Sequence, residues 1–80
     1  MSKRTVSLEV GDIWYLEQLV TPLPEQIKAL RLRCGLSQSG AGALVHRTLR
    51  NWQQWEKGER AMDLAAWELF NIKAARLLDR

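Results

Sequence analysis

The chain is poor in the residues that small proteins use as covalent staples or reaction centres. One cysteine, Cys34, excludes an internal disulfide. Between Arg33 and Gly35 it reads as a small buried hydrophobe in a reducing compartment. One histidine, His46, leaves no zinc set, since structural zinc takes four His or Cys ligands at close spacing. No metal and no cofactor are expected. With no carboxylate pair and no nucleophile beside a base, there are no candidate catalytic residues and the chain does not read as an enzyme. No apolar run approaches the ~20 residues of a membrane helix, and no signal-peptide core follows Lys3 and Arg4. A soluble cytoplasmic protein with no membrane partner is the expectation.

Acidic residues are missing from one long stretch. Between Gln26 and Trp55 stand Lys28, Arg31, Arg33, Arg47 and Arg50, with no Asp or Glu. A local excess of this kind attracts polyanions and favours phosphate contact, although charge alone fits an ordinary solvated surface equally well. The overall charge of +3 is modest, so its placement carries the argument. With 46% hydrophobic residues, 80 residues can build one small packed domain and no second core.

Residues 5–10 alternate strictly, with Val6, Leu8 and Val10 on one side and Thr5, Ser7 and Glu9 on the other, the period of a half-buried strand. Gly11-Asp12 marks a turn. Asp12 can cap a short helix over residues 13–20, or Gly11-Asp12 can be a hairpin loop with residues 13–16 as the returning strand. The spacing of Leu16 and Leu19-Val20 favours the helix. Residues 1–20 thus read as an N-terminal arm.

Thr21-Pro22-Leu23-Pro24 separates that arm from a helical domain over 21–80. Pro24 suits a first helical turn, and Glu25 suits its positive end. Ile27, Leu30 and Cys34 form an apolar stripe, with Gly35 as the stop. Ser37 predicts a cap for a helix over 38–45. Thr48 predicts another over 49–57, ended by Gly58. Asp63 predicts a last helix running from Leu64 nearly to Leu78, with Leu64, Trp67, Ala74 and Leu78 on one stripe. The fold class is mainly all-α, a bundle of four to five helices with a short β-strand arm. Leu69, Phe70, Ile72 and Leu77 spread to other sides of the last helix. Such spreading implies a dimer, or the arm folded over the second face.

At ~100° per residue, helix 49–57 has two faces. Trp52 and Trp55 point one way, and Arg50, Gln53, Gln54 and Lys57 the other. Arginine and glutamine make paired hydrogen bonds with guanine O6/N7 and adenine N6/N7 respectively. An inert surface would more often carry Glu and Lys there.

The run from Leu36 to Arg60, LSQSGAGALVHRTLRNWQQWEKGER, resembles the Xre/Cro-type helix-turn-helix domains of the phage lambda-repressor-like family, and more loosely so back to Ile27. The resemblance implies a sequence-specific DNA-binding regulator that inserts helix 49–57 into the major groove. It implies base contacts from Leu49, Arg50 and Gln54, with Gln53 adjacent. Gln38 would meet the DNA backbone together with the start of its helix, while Arg47, Thr48 and Lys57 flank the face and suit phosphates. It also implies a structural pair between Arg31 and Glu56.

The chain departs from the family pattern in three respects. His46 stands where glycine is usual and the backbone tends to positive φ, which histidine tolerates better than most residues. Gly40, Ala41 and Gly42 replace bulkier helix formers, and a facing Gly42 is expected to make room for the Trp52 indole. Arg47 replaces a buried valine, which either enlarges the charged surface or displaces the turn.

A dimeric repressor of phage or prophage type is therefore expected, on a palindromic operator whose half-sites lie about one DNA turn, ~34 Å, apart. A DNA-binding antitoxin is a rival, opposed by a chain that ends almost at its last helix. The other is a helix-turn-helix interaction module that reads no DNA, opposed by the outward Arg50, Gln53 and Gln54.

Overall fold

The computed structural model describes residues 21–79, which form four α-helices. Helix α1 spans Pro24–Arg33, α2 Gln38–Leu44, α3 Leu49–Lys57 and α4 Leu64–Leu78. Among these residues the fold is an all-α bundle, as the patterning predicts. The expected strand at 5–10 and the element at 13–20 lie outside the described residues. No described helix is long and apolar enough to cross a membrane.

Each helix starts where its capping residue predicts. Pro24 opens α1, and the Leu23 N–H donates to Gln26 Oε1 at 2.8 Å. Ser37 Oγ accepts from the Gly40 N–H at 2.9 Å, Thr48 Oγ1 from Asn51 at 3.0 Å, and Asp63 Oδ2 from Ala66 at 3.1 Å. Each of these three bonds satisfies an N–H that the helix cannot, worth about 1 kcal/mol.

The first three helices end alike. In α1 the Leu36 N–H reaches back to Arg31 O and Gly35 to Leu32 O, with Gly35 at φ 72°. In α3 the Glu59 N–H reaches Gln54 O and Gly58 reaches Trp55 O, with Gly58 at φ 80°. The end of α2 has the same pattern, Arg47 to Gly42 O at 2.8 Å and His46 to Ala43 O at 3.1 Å. This paired closure needs a left-handed residue at its corner. In α2 that residue is His46, at φ 62°. The turn therefore keeps its geometry despite Arg47, and is not displaced. Lys73 Nζ on α4 donates to the freed Leu44 carbonyl at 2.6 Å, tying the end of α2 to α4.

The core gathers Ile27 from α1, Ala41 and Val45 from α2 and its end, Trp52 and Trp55 from α3, and Ala66, Phe70 and Ala74 from α4. Trp52 is its centre, edge-on to Trp55 at 5.5 Å and to Phe70 at 4.9 Å between ring centroids. Such edge contacts add about 1 kcal/mol each beyond burial. Met62, in the loop before α4, is fully buried beside them.

Three expectations are corrected. On α4 the inward line is Ala66, Phe70 and Ala74, with Trp67 partly buried; Leu64 and Leu78 are each 41% exposed. Phe70 sets this rotation, because its ring fills the space against Trp52. Cys34 is only half-buried. Gly42 makes room for the chain itself, not for Trp52. A Cβ there would lie 3.0 Å from the Arg47 carbonyl oxygen and 3.1 Å from that of Thr48. The absence of a side chain lets α2 pack directly on the backbone that starts α3.

Gly42→Ala is thus expected to lower the melting temperature. The push on the turn, about 1–3 kcal/mol, outweighs the roughly 1 kcal/mol that alanine gains in helix propensity. An unchanged or higher melting temperature would show that the turn yields freely. His46→Gly is expected to act oppositely. It relieves about 1–2 kcal/mol of left-handed strain against roughly 0.5–1 kcal/mol of added chain entropy. Chemical denaturation at neutral pH measures the net gain.

Candidate nucleic-acid interface

Helix α3 is divided lengthwise, and its two faces meet different surroundings. Trp52 and Trp55 lie in the core at 0% and 2% exposure. On the other side Arg50 and Lys57 are exposed, Leu49 is 45% exposed at the helix start, and Gln53 and Gln54 are half-buried. Arg50, Gln54 and Lys57 make no side-chain hydrogen bond or ion pair with the described residues. Their donors and acceptors are free for a ligand. Thr48 is exposed, and its oxygen holds the Asn51 N–H, leaving its hydroxyl hydrogen to donate.

One carboxylate holds α3 in place. Glu56 Oε2 accepts from Arg31 Nε at 2.6 Å and from Trp52 Nε1 at 2.6 Å. Its Oε1 accepts from Gln38 Nε2 at 3.0 Å and from Arg31 Nη2 at 3.1 Å. All three guanidinium nitrogens are engaged, because Arg31 Nη1 also donates to the Leu36 carbonyl at 3.0 Å. The expected Arg31–Glu56 pair is present, with side chains only 10% and 5% exposed. Burial pushes the Glu56 carboxyl up. Hydrogen bonds from Arg31, Trp52 and Gln38, with the Arg31 charge, outweigh that and hold it below the usual carboxylate range.

Two residues expected at the DNA backbone have partners inside the protein. Gln38 is bound to Glu56, and its Oε1 accepts from Gln53 Nε2 at 3.4 Å. Arg47 forks onto Asp63, at 3.0 and 3.5 Å, and lies over the Trp55 ring 5.4 Å from its centroid. Asp63 is lowered below its ordinary range, chiefly by that hydrogen bond from Arg47, against desolvation and with help from the Ala66 N–H. Arg47 therefore links the turn to the cap of α4 through its charge, where the family pattern places apolar packing. The pair is about one-third to one-half exposed, so its worth is about 1 kcal/mol at most.

The Trp52–Glu56 bond escaped the sequence reading, yet its signal is present. A buried indole needs an acceptor for its N–H, and Glu56 is four residues on along the same helix. The bonds of Gln38 and Arg47 carry no such local signal, since their partners lie 15–18 residues away. Among the described residues no three of His, Cys, Asp and Glu come together to hold a metal ion.

No family model matches this chain, and neither does any curated protein. The resemblance of residues 36–60 to helix-turn-helix repressors thus rests on the sequence alone.

Acid unfolding measures the Glu56 hub. Because its folded-state pKa lies below the unfolded value, its contribution is full above about pH 5 and is lost as pH falls through the folded value. Glu56→Gln is expected to cost about 3–5 kcal/mol at pH 7, through the stranded Arg31 charge. The gap between the two proteins should begin to narrow below about pH 5 and close once the pH has fallen past the folded value. A gap independent of pH would show that the carboxylate charge is not what holds the network.

Proposed function

We propose that this chain is a sequence-specific double-stranded DNA-binding transcriptional regulator, a dimeric repressor of the phage or prophage type acting in the cytoplasm. Helix α3 enters the major groove in this reading. The observation that carries it is the split of α3, with two indoles sunk in the core beneath a row of unspent guanidinium, carboxamide and ammonium groups.

Each outward group has a chemical counterpart on a duplex. Arg50 can grip guanine O6 and N7, and Gln53 or Gln54 can pair with adenine N6 and N7. Leu49 offers apolar contact to a thymine methyl group. Lys57 at one end and the Thr48 hydroxyl at the other suit phosphates. Gln38 and Arg47 keep unused N–H donors beyond their internal bonds, so any phosphate contact they make is secondary. A second copy is supported by the outward apolar side chains of α4, Leu64, Ile72 and Leu78, each at least 41% exposed. Two copies related by a two-fold axis read a palindrome, one reader in each half-site.

Selection of bound duplexes from a random pool supplies the sequences for the test. Arg50→Ala is expected to cost about 1–3 kcal/mol on the preferred duplex and to relax the preference at one base pair. Lys57→Ala should weaken all duplexes alike and reduce the salt slope by about 1. Titrations at several salt concentrations measure both. If neither change alters binding to any duplex, α3 serves a protein partner instead.

A further inference from the structure

The Gln38–Gln53 contact places a half-buried amide of the reading face in a chain of hydrogen bonds ending on a buried charge. Ionised Glu56 can only accept. Its Oε2 is taken by Arg31 and Trp52, so Gln38 meets Oε1, and must do so with its NH₂ group. Reversed, Gln38 would set a carbonyl oxygen against a carboxylate. Held this way round, Gln38 turns its own Oε1 towards α3, where only a donor is welcome. Gln53 answers with Nε2 at 3.4 Å. Leu49, the neighbouring side chain on that helix, is apolar and offers Gln38 no partner.

We propose that Glu56, acting through Gln38, fixes which way round Gln53 presents its carboxamide, and so selects the orientation of one A·T pair in the groove. The inference rests on the DNA-binding reading and deepens it. Gln53 commits one Nε2 hydrogen to Gln38, which leaves its other N–H and its Oε1 free. Those two groups match adenine, whose N7 accepts and whose N6 donates. A free glutamine can turn over and offer them in either order. A tethered one has its donor end towards α2 and its acceptor end away from it. The order decides whether adenine is met on one strand or the other. Gln38 and Glu56 are thereby positioning residues for specificity, and Glu56 acts without touching DNA.

The test uses the whole chain and duplexes drawn from a random-pool selection. Affinities for A·T against T·A are compared at each base pair for the wild type, Gln38→Met, Gln53→Ala and the double variant. One pair should lose its preference in Gln53→Ala. At that same pair Gln38→Met should lower the ratio about tenfold, within the range a paired contact discriminates. In the Gln53→Ala background, Gln38→Met should change that ratio no further. A second readout needs no DNA: the Gln53 side-chain amide resonances should shift in Gln38→Met while distant backbone resonances stay in place and confirm the fold. Unmoved Gln53 resonances overturn the relay. Gln38→Met that weakens every duplex equally, with all ratios intact, overturns the proposal and leaves DNA binding standing. A wild-type chain that binds no duplex overturns the DNA-binding reading itself, and the proposal with it.

Discussion

The Glu56 carboxylate is the interaction on which the placement of α3 depends. It draws Arg31 from α1, Gln38 from α2 and the Trp52 indole from α3 to a single buried point. A charge this far from water is tolerable only when its lone pairs are filled, and here four N–H donors fill them. The same four bonds fix three helices in rotation as well as in distance. A greasy contact would leave α3 free to roll by a few degrees, whereas a forked guanidinium and an indole N–H define an angle. Any function that asks α3 to present a row of side chains in register draws on that rigidity.

Aromatic packing and small residues complete the frame. Trp52 brings a large ring to the centre, and its polar edge is satisfied by Glu56 instead of being left buried and unpaired. Gly42 allows the backbone of α2 to touch the start of α3, so the turn between the two helices is short and closed. The corner itself is held by His46 in a left-handed conformation, a strained choice that the surrounding hydrogen bonds over-determine. Arg47 then clamps the turn to the cap of α4 through Asp63 and over Trp55. Volume, backbone approach and charge thus converge on the same joint.

Much of this was legible in the chain. Ser37, Thr48 and Asp63 marked three helix starts, and Gly35 and Gly58 marked two ends, because caps act over three or four residues and leave local signatures. The two-faced character of α3 followed from the spacing of Trp52 and Trp55 against Arg50, Gln53 and Gln54. The Arg31–Glu56 pair was expected from the likeness to a known family, not from spacing. Less legible was α4, where apolar residues lie on several faces; Phe70 was one candidate among many until its contact with Trp52 chose the rotation. Met62 sits in a loop, where no periodicity announces burial.

By itself, then, the sequence determined the helices, their boundaries and which side of α3 is polar, since these depend on neighbours within a turn or two. Only the tertiary structure decided which polar groups are already spent. Gln38 and Arg47 look free in the chain, and both are engaged by residues brought close by folding. Gly42 shows the same limit from the steric side: a missing Cβ declares that something comes near, and only the packed turn reveals that it is backbone. Hydrogen-bond partners and close approaches over long separations follow from the path of the whole chain, which no local pattern encodes.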